Sequence, residues 1–212
     1  MLNAACPGGL ADLLGSDPAG AETLAVDGKS ARGSRHGEIP AAHLLAAVTG
    51  AGLTVTQLRV PDKTNEITCF DALLGRYDLT GVTVTADALH CQRDHARFLV
   101  EENKAHHAFA VKRNQKNVHR QLAALPWAKA RAKFYDRTAA HGRLETRVVQ
   151  ALTISELGVD FPHAVQVAKT VRHRIQLAHR EPGYPPSVAV TLAVVHEGGR
   201  MPRLTLPPAV IT

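Results

Sequence analysis

Thr83-Val84-Thr85-Ala86-Asp87-Ala88-Leu89-His90-Cys91-Gln92 is the stretch from which the rest of the chain is best read. A β-rich apolar run stops at an aspartate, and a helix-like pattern begins just beyond it. An acid at the tip of a buried strand is costly to place unless something pairs with it. A second run ends the same way, at Leu24-Ala25-Val26-Asp27-Gly28-Lys29. Two strand-end aspartates able to meet across a sheet suggest a divalent-metal site, because hard cations prefer oxygen ligands.

Upstream of the central stretch, Thr23 to Asp27 reads as a strand and Gly28 to Pro40, with Lys29, Arg32 and Arg35, as a flexible basic loop. Ala41–Thr49 reads as a strand, with a helix as the alternative, and with the alternating Leu53–Val60 it makes a hairpin about Gly50-Ala51-Gly52. Thr64 or Asn65 can cap a helix with Glu66 in its first turn. Ile67, Phe70, Leu73, Leu74 and Tyr77 then follow at helical spacing. The central strand spans Val82 to Asp87. Downstream come a helix from Gln92 to Glu102, a strand from His107 to Val111, and a helix from Asn114 to Leu125 that Pro126 stops.

The character changes after Pro126. Ala132–Thr138 and Arg143–Ile154 read as strands about an Ala139–Gly142 turn, and Val165–Gln176 as one long strand or a pair. Prolines crowd the tail, where only Ser187–Val195 is strand-like, outside any well-built core. Residues 1–22 read as a poorly ordered leader. Three strands, then helix, strand, helix, strand and helix, imply a mixed α/β sheet with helices on its faces. That is the element order of a ribonuclease H-like fold. It spans residues 23–125 as a partial core, with a β-rich insertion at 126–176 and a divergent tail at 177–212.

In 212 residues, 25 Lys and Arg stand against 19 Asp and Glu, with a pI near 9.5. A basic balance of this size suits a polyanion such as DNA. Three cysteines without pattern read as reduced thiols in a cytoplasmic protein. No apolar run reaches the ~20 residues that span a membrane. His90, Cys91, His95, His106 and His107 lack the paired spacings of a structural zinc site. The absence of a glycine-rich phosphate loop argues against nucleotide cofactors.

Five motifs carry a resemblance. Val26-Asp27-Gly28-Lys29-Ser30-Ala31-Arg32-Gly33-Ser34 and Asp62-Lys63-Thr64-Asn65-Glu66-Ile67 come first. Thr85-Ala86-Asp87-Ala88-Leu89-His90-Cys91-Gln92, Val111-Lys112-Arg113-Asn114-Gln115-Lys116 and His141-Gly142-Arg143-Leu144-Glu145-Thr146-Arg147 follow in order. Together they resemble the DDE domain of insertion-sequence transposases of the ISAs type, the H-repeat-associated proteins.

The resemblance covers about residues 23–169. It implies a ribonuclease H-like fold, cleavage and transfer of DNA strands at insertion-sequence ends, and three carboxylates holding Mg²⁺ or Mn²⁺. Asp27 and Asp87 take the places of the first two acids. The third, expected on a helix after the insertion, has no counterpart, and Glu145 is the local substitute. Lys29, Arg32, Lys63, Asn65, Lys112, Asn114, Gln115 and Lys116 are the expected DNA contacts, and a homo-oligomer is compatible. The missing third acid leads to the expectation of a central, truncated fragment with reduced or no activity. The alternatives are a non-catalytic DNA-binding remnant and a decayed reading frame.

Overall fold

The computed structural model describes residues 23–37, 41–61, 64–130, 132–140, 142–154, 158–176 and 187–196. The chain divides into two compact units, one of residues 1–109 with 199–212, the other of residues 110–198.

The first unit is built on β1 (Thr23–Ala31), β2 (Ala42–Thr49), β3 (Thr54–Val60), β4 (Thr83–Ala86) and β5 (His106–Val111), in the order β3-β2-β1-β4-β5. The β1, β2 and β3 pairings are antiparallel, whereas β4 runs parallel to both β1 and β5. Gly52, at φ 85°, makes the tight turn between β2 and β3 that a side chain would strain.

All four residues of β4 are buried, as expected for a parallel strand covered on both faces. Leu24 and Val26 of β1, Leu45 of β2, Val84 of β4 and Phe109 of β5 form the floor of the core. Phe70, Leu73 and Leu74 of α1 (Phe70–Leu74) are buried with them, as are Ala96 of α2 (Arg93–Arg97) and Leu99 just beyond it. Phe70 is fully enclosed, stacked on His95 at 4.1 Å between ring centres and edge-on to Phe98 and Phe109.

Three expectations change here. Gly28 to Ala31 do not open a loop: they continue β1 and pair with β2 from Leu45 to Ala42. The helix expected as far as Tyr77 is a 3₁₀ turn, Glu66–Cys69, followed by the short α1. The helix expected to Glu102 is α-helical only to Arg97 and widens into a π-helical turn over Phe98–Glu102.

The second unit holds α3 (Lys116–Ala123) and the antiparallel strands β6 (Ala132–Ala140), β7 (Arg143–Thr153), β8 (Gln166–Gln176) and β9 (Ser187–Val195). Trp127 anchors α3 to this sheet. Its indole N–H donates to Leu122 O at 2.8 Å, its carbonyl accepts from Gln150 Nε2 at 3.0 Å, and Lys169 Nζ lies 5.7 Å from its ring centre. The proline-crowded tail contributes more than expected: β9 pairs with β8 along its length, and Leu192, Val194 and Val195 are buried. No helix among the described residues is long and apolar enough to cross a membrane.

Candidate functional site

The register of β1 on β4 sets Asp27 and Asp87 side by side, although β1 does not end at Asp27 as expected but runs on to Ala31. Val26 is opposite Ala86 in a parallel pair, so Asp27, within β1, and Asp87, just past the end of β4, come next in the same register. Asp27 is half-buried, and that burial raises its carboxyl above the ordinary aspartate value. Lys29 pulls the other way, while the charges of Asp87 and Glu66 push Asp27 further up. Asp87 Oδ1 also accepts from Leu89 N at 2.7 Å, closing the turn after β4.

Glu66 is the acid that the spacing of the sequence did not single out as a ligand. Asn65 starts its 3₁₀ turn, with Oδ1 accepting from Thr68 N at 3.3 Å. The Glu66 carboxylate then lies against the backbone of Gly28, where any side chain would overlap it. One carboxylate oxygen accepts from His43 Nε2; the other takes His90 Nε2–H at 3.3 Å. His43 Nδ1 in turn meets Ser30 Oγ at 3.2 Å. His90 is fully buried; burial first and then His95 lower its pKa against the pull of Glu66 and Asp87, so it donates as a neutral ring. His95 faces carbonyl oxygens with both ring nitrogens, His90 O at 3.2 Å and Ile67 O at 3.0 Å, which ties the Glu66 turn to the His90 turn.

The remaining expected site residues are spread more widely. Lys29 is exposed on β1 two residues beyond Asp27, and Arg32 is exposed in the short turn after β1. Lys63 lies outside the described residues. Lys112, Asn114, Gln115 and Lys116 belong to the second unit, where they lead into the first turn of α3. Lys112, Asn114 and Lys116 are exposed there.

Glu145 is also in the second unit, only 8% exposed on β7. It accepts from Arg174 Nε at 3.3 Å and Nη2 at 3.1 Å, and pairs with Arg147 through its other oxygen. Burial raises its pKa, but hydrogen bonds from Arg174 and Arg147 and the charges of Arg147 and Arg172 outweigh that and hold it below the ordinary glutamate value. The sign follows: a depressed carboxylate contributes stability above about pH 4.5 and loses it as pH falls through the lower folded value. Glu145→Gln is therefore expected to destabilise the chain by about 1–2 kcal/mol at pH 7, between exposed and buried pairs, because the arginines are part-exposed. Urea titrations at pH 7 and pH 3 should show that difference shrinking at the lower pH.

Cys91, read in the sequence beside His90 and His95, is buried, and burial alone pushes its thiol to about 12. It stays protonated and makes a poor metal ligand. Among the described residues, no three His, Cys, Asp or Glu side chains already stand in a metal-holding arrangement.

Residues 18–178 match the family described as the transposase DDE domain. A Xanthobacter autotrophicus protein, "Uncharacterized protein in dhlA 3'region", is 38% identical over 136 residues, covering 59% of this chain and 44% of that one. "Putative transposase YncI" of Escherichia coli O157:H7 is 33% identical over 138 residues, 60% of this chain and 34% of its own length. "H repeat-associated putative transposase YhhI" of Escherichia coli K12 is 30% identical over 151 residues, 66% and 39% of the two chains. The chain thus spans well under two thirds of each of these relatives. No solved structure matches it.

Proposed function

The chain belongs to the transposase DDE domain family, and from that premise we propose that its first unit carries a divalent-cation site for cutting and joining DNA strands. The family implies a ribonuclease H-like fold, a DNA substrate and a divalent metal. The observation that carries the reading is the register of β1 on β4, which sets Asp27 within β1 beside Asp87 at the end of β4, with both Asp87 and Glu66 raising the Asp27 carboxyl.

The donor chemistry fits Mg²⁺ or Mn²⁺. Three carboxylates offer hard oxygens and no competing thiolate. Their mutual repulsion is an unfavourable arrangement that a dication would relieve. Glu66 serves in this reading as the third acid. His43 and His90 each occupy one lone pair of its two oxygens, leaving capacity for a further partner. Gly28 keeps the space beside Asp27 open for it. The Glu145 carboxylate is committed to Arg147 and Arg174 and takes no part.

When bound, the ion would lower the pKa of an attacking water or 3′-hydroxyl and stabilise the leaving oxygen. Asp27 and Asp87 would hold it, and the part-buried His43–Glu66–His90 chain fixes the third carboxylate. Lys29, exposed near Asp27, and Arg32, exposed in the turn after β1, meet backbone phosphates in this reading.

Supercoiled DNA incubated with the purified chain tests the reading. Nicking that requires Mg²⁺ or Mn²⁺ and stops with a chelator is the expected result. Failure to bind Mn²⁺, measured by electron paramagnetic resonance, would overturn the metal site. Duplex binding without cleavage under any divalent ion would favour a non-catalytic DNA-binding protein instead.

A further inference from the structure

Four arginines of the second unit share one face of its sheet. Arg143, Glu145 and Arg147 alternate along β7 and so point the same way. On β8, Arg174 is directly opposite Glu145, and Arg172 directly opposite Arg147. The other face carries Gln150 and Lys169, which meet Trp127.

This face is arranged at a cost. Like charges directly opposite each other destabilise a strand pair, yet Arg147 faces Arg172. The one buried carboxylate between the strands, Glu145, is taken by Arg147 and Arg174. Arg172 is pushed below its ordinary value, by burial first and then by Arg174, with Arg147 and Arg143 adding to it against Glu145. Arg147 Nε is buried and finds no acceptor among the described residues. Among the described residues, Asp136, opposite Arg147 on β6, is the other acid on this face, and Thr138 Oγ1 donates to it at 3.2 Å. The four guanidinium groups therefore outnumber the acids that brace them.

We infer that the Arg143–Arg147–Arg172–Arg174 face of the second unit is a binding surface for the phosphate backbone of duplex DNA. The groups suit that partner. A duplex carries one negative charge per ~1.7 Å of its axis, so neighbouring guanidinium groups can be neutralised together. Planar guanidinium forks also match phosphate oxygens in pairs. The spacing agrees: residues two apart on a strand are ~7 Å apart and neighbouring strands ~4.8 Å apart, which makes a grid rather than a single contact. Glu145 braces two arginines and leaves Arg143 and Arg172 as the groups facing the ligand. The surface stands independently of the Asp27–Asp87 site.

The test is fluorescence anisotropy of a labelled duplex of arbitrary sequence with the whole chain, titrated at several salt concentrations. Arg143→Ala with Arg172→Ala should weaken binding at least about tenfold at low salt and flatten the slope of log K against log salt by about 2. The arginine changes should leave Mn²⁺ binding unchanged, so the two sites fail separately. The unsubstituted chain gives a second readout. Arg143 and Arg172 should be protected by the duplex from a guanidinium-modifying reagent, as read by mass spectrometry. Equal modification with and without duplex, or an unchanged salt slope in a folded double variant, would overturn the assignment. Displacement of the duplex by polyglutamate at equal charge would also overturn it, in favour of an acidic protein.

Discussion

Asp87→Asn is expected to abolish cation-dependent nicking while leaving the fold intact. Asparagine keeps a side-chain oxygen for the Leu89 N–H that Asp87 now holds at 2.7 Å, so the turn after β4 survives. What disappears is the negative charge needed by a hard cation. Loss of even an outer partner of a metal ligand typically costs 10–100-fold, so losing a ligand should cost more than about 100-fold.

Asp27→Asn should do the same to catalysis and give a second signature. Burial, and the charges of Asp87 and Glu66, raise the Asp27 carboxyl above 3.8 in the folded chain. A raised acid favours the folded state at pH below its unfolded value and forfeits that advantage as pH rises through the folded one. At pH 7 without metal, the ionised Asp27 is thus a liability. Its removal should stabilise the chain by on the order of 1 kcal/mol, or about 2–4 °C in Tm for a chain of this size.

Saturating Mn²⁺ should reverse the order. A ligand at 100 times its Kd stabilises by about 2.7 kcal/mol, and only the unsubstituted chain can use it. Thermal scans with chelator and with Mn²⁺ should therefore rank the two proteins oppositely. An Asp27→Asn variant less stable in chelator, or raised as much as the parent by Mn²⁺, would refute the metal-site reading.

The place of Asp87 was legible because the signal is local: an apolar β run that ends in an acid needs only a few consecutive residues, whereas β1 runs on through Asp27 to Ala31. Glu66 was not, because its role depends on contacts made across the fold. In the sequence it is a first-turn helix acid after a capping asparagine. Only the chain path sets it on Gly28 and between His43 and His90. A signal was present in the glycine that follows Asp27, since glycine inside a strand often marks the close approach of another group.

The same residue explains why β1 was cut short. Gly28, Lys29 and Ser30 have weak β preference, but four rungs to Leu45–Ala42 of β2 override it. At Ser187–Val195 the flanking prolines weakened the pattern, whereas pairing with β8 and burial of Leu192 and Val194 make it a full sheet member. Likewise, the alternating Arg143, Glu145 and Arg147 are visible along β7. Their arginine neighbours Arg172 and Arg174 depend on a register that no local spacing gives.

Gly28→Ala should separate fold from function at a single methyl group. The new Cβ would overlap the Glu66 carboxylate, closer than real Cβ contacts come. Gly28 lies in paired strand without a positive φ, so alanine suits the backbone and removes glycine's extra unfolded-state freedom. The group that must yield is the far end of a side chain, not the main chain. The strain on the main chain is therefore small, and the stability lost should be about 1–3 kcal/mol, from the buried His90 donor that loses its acceptor. Glu66, however, must leave its place beside Asp27 and break its bonds to His43 and His90. If Glu66 is the third acid, Gly28→Ala should lose Mn²⁺ affinity and nicking as fully as Glu66→Gln does. The double variant should be no worse than either single one, because both remove the same interaction. Manganese titrations followed by electron paramagnetic resonance read this without reference to activity. A Gly28→Ala chain that folds and binds Mn²⁺ as tightly as the parent would place the third acid elsewhere. It would also leave the His43–Glu66–His90 chain as a structural tie between β2 and the turn after β4.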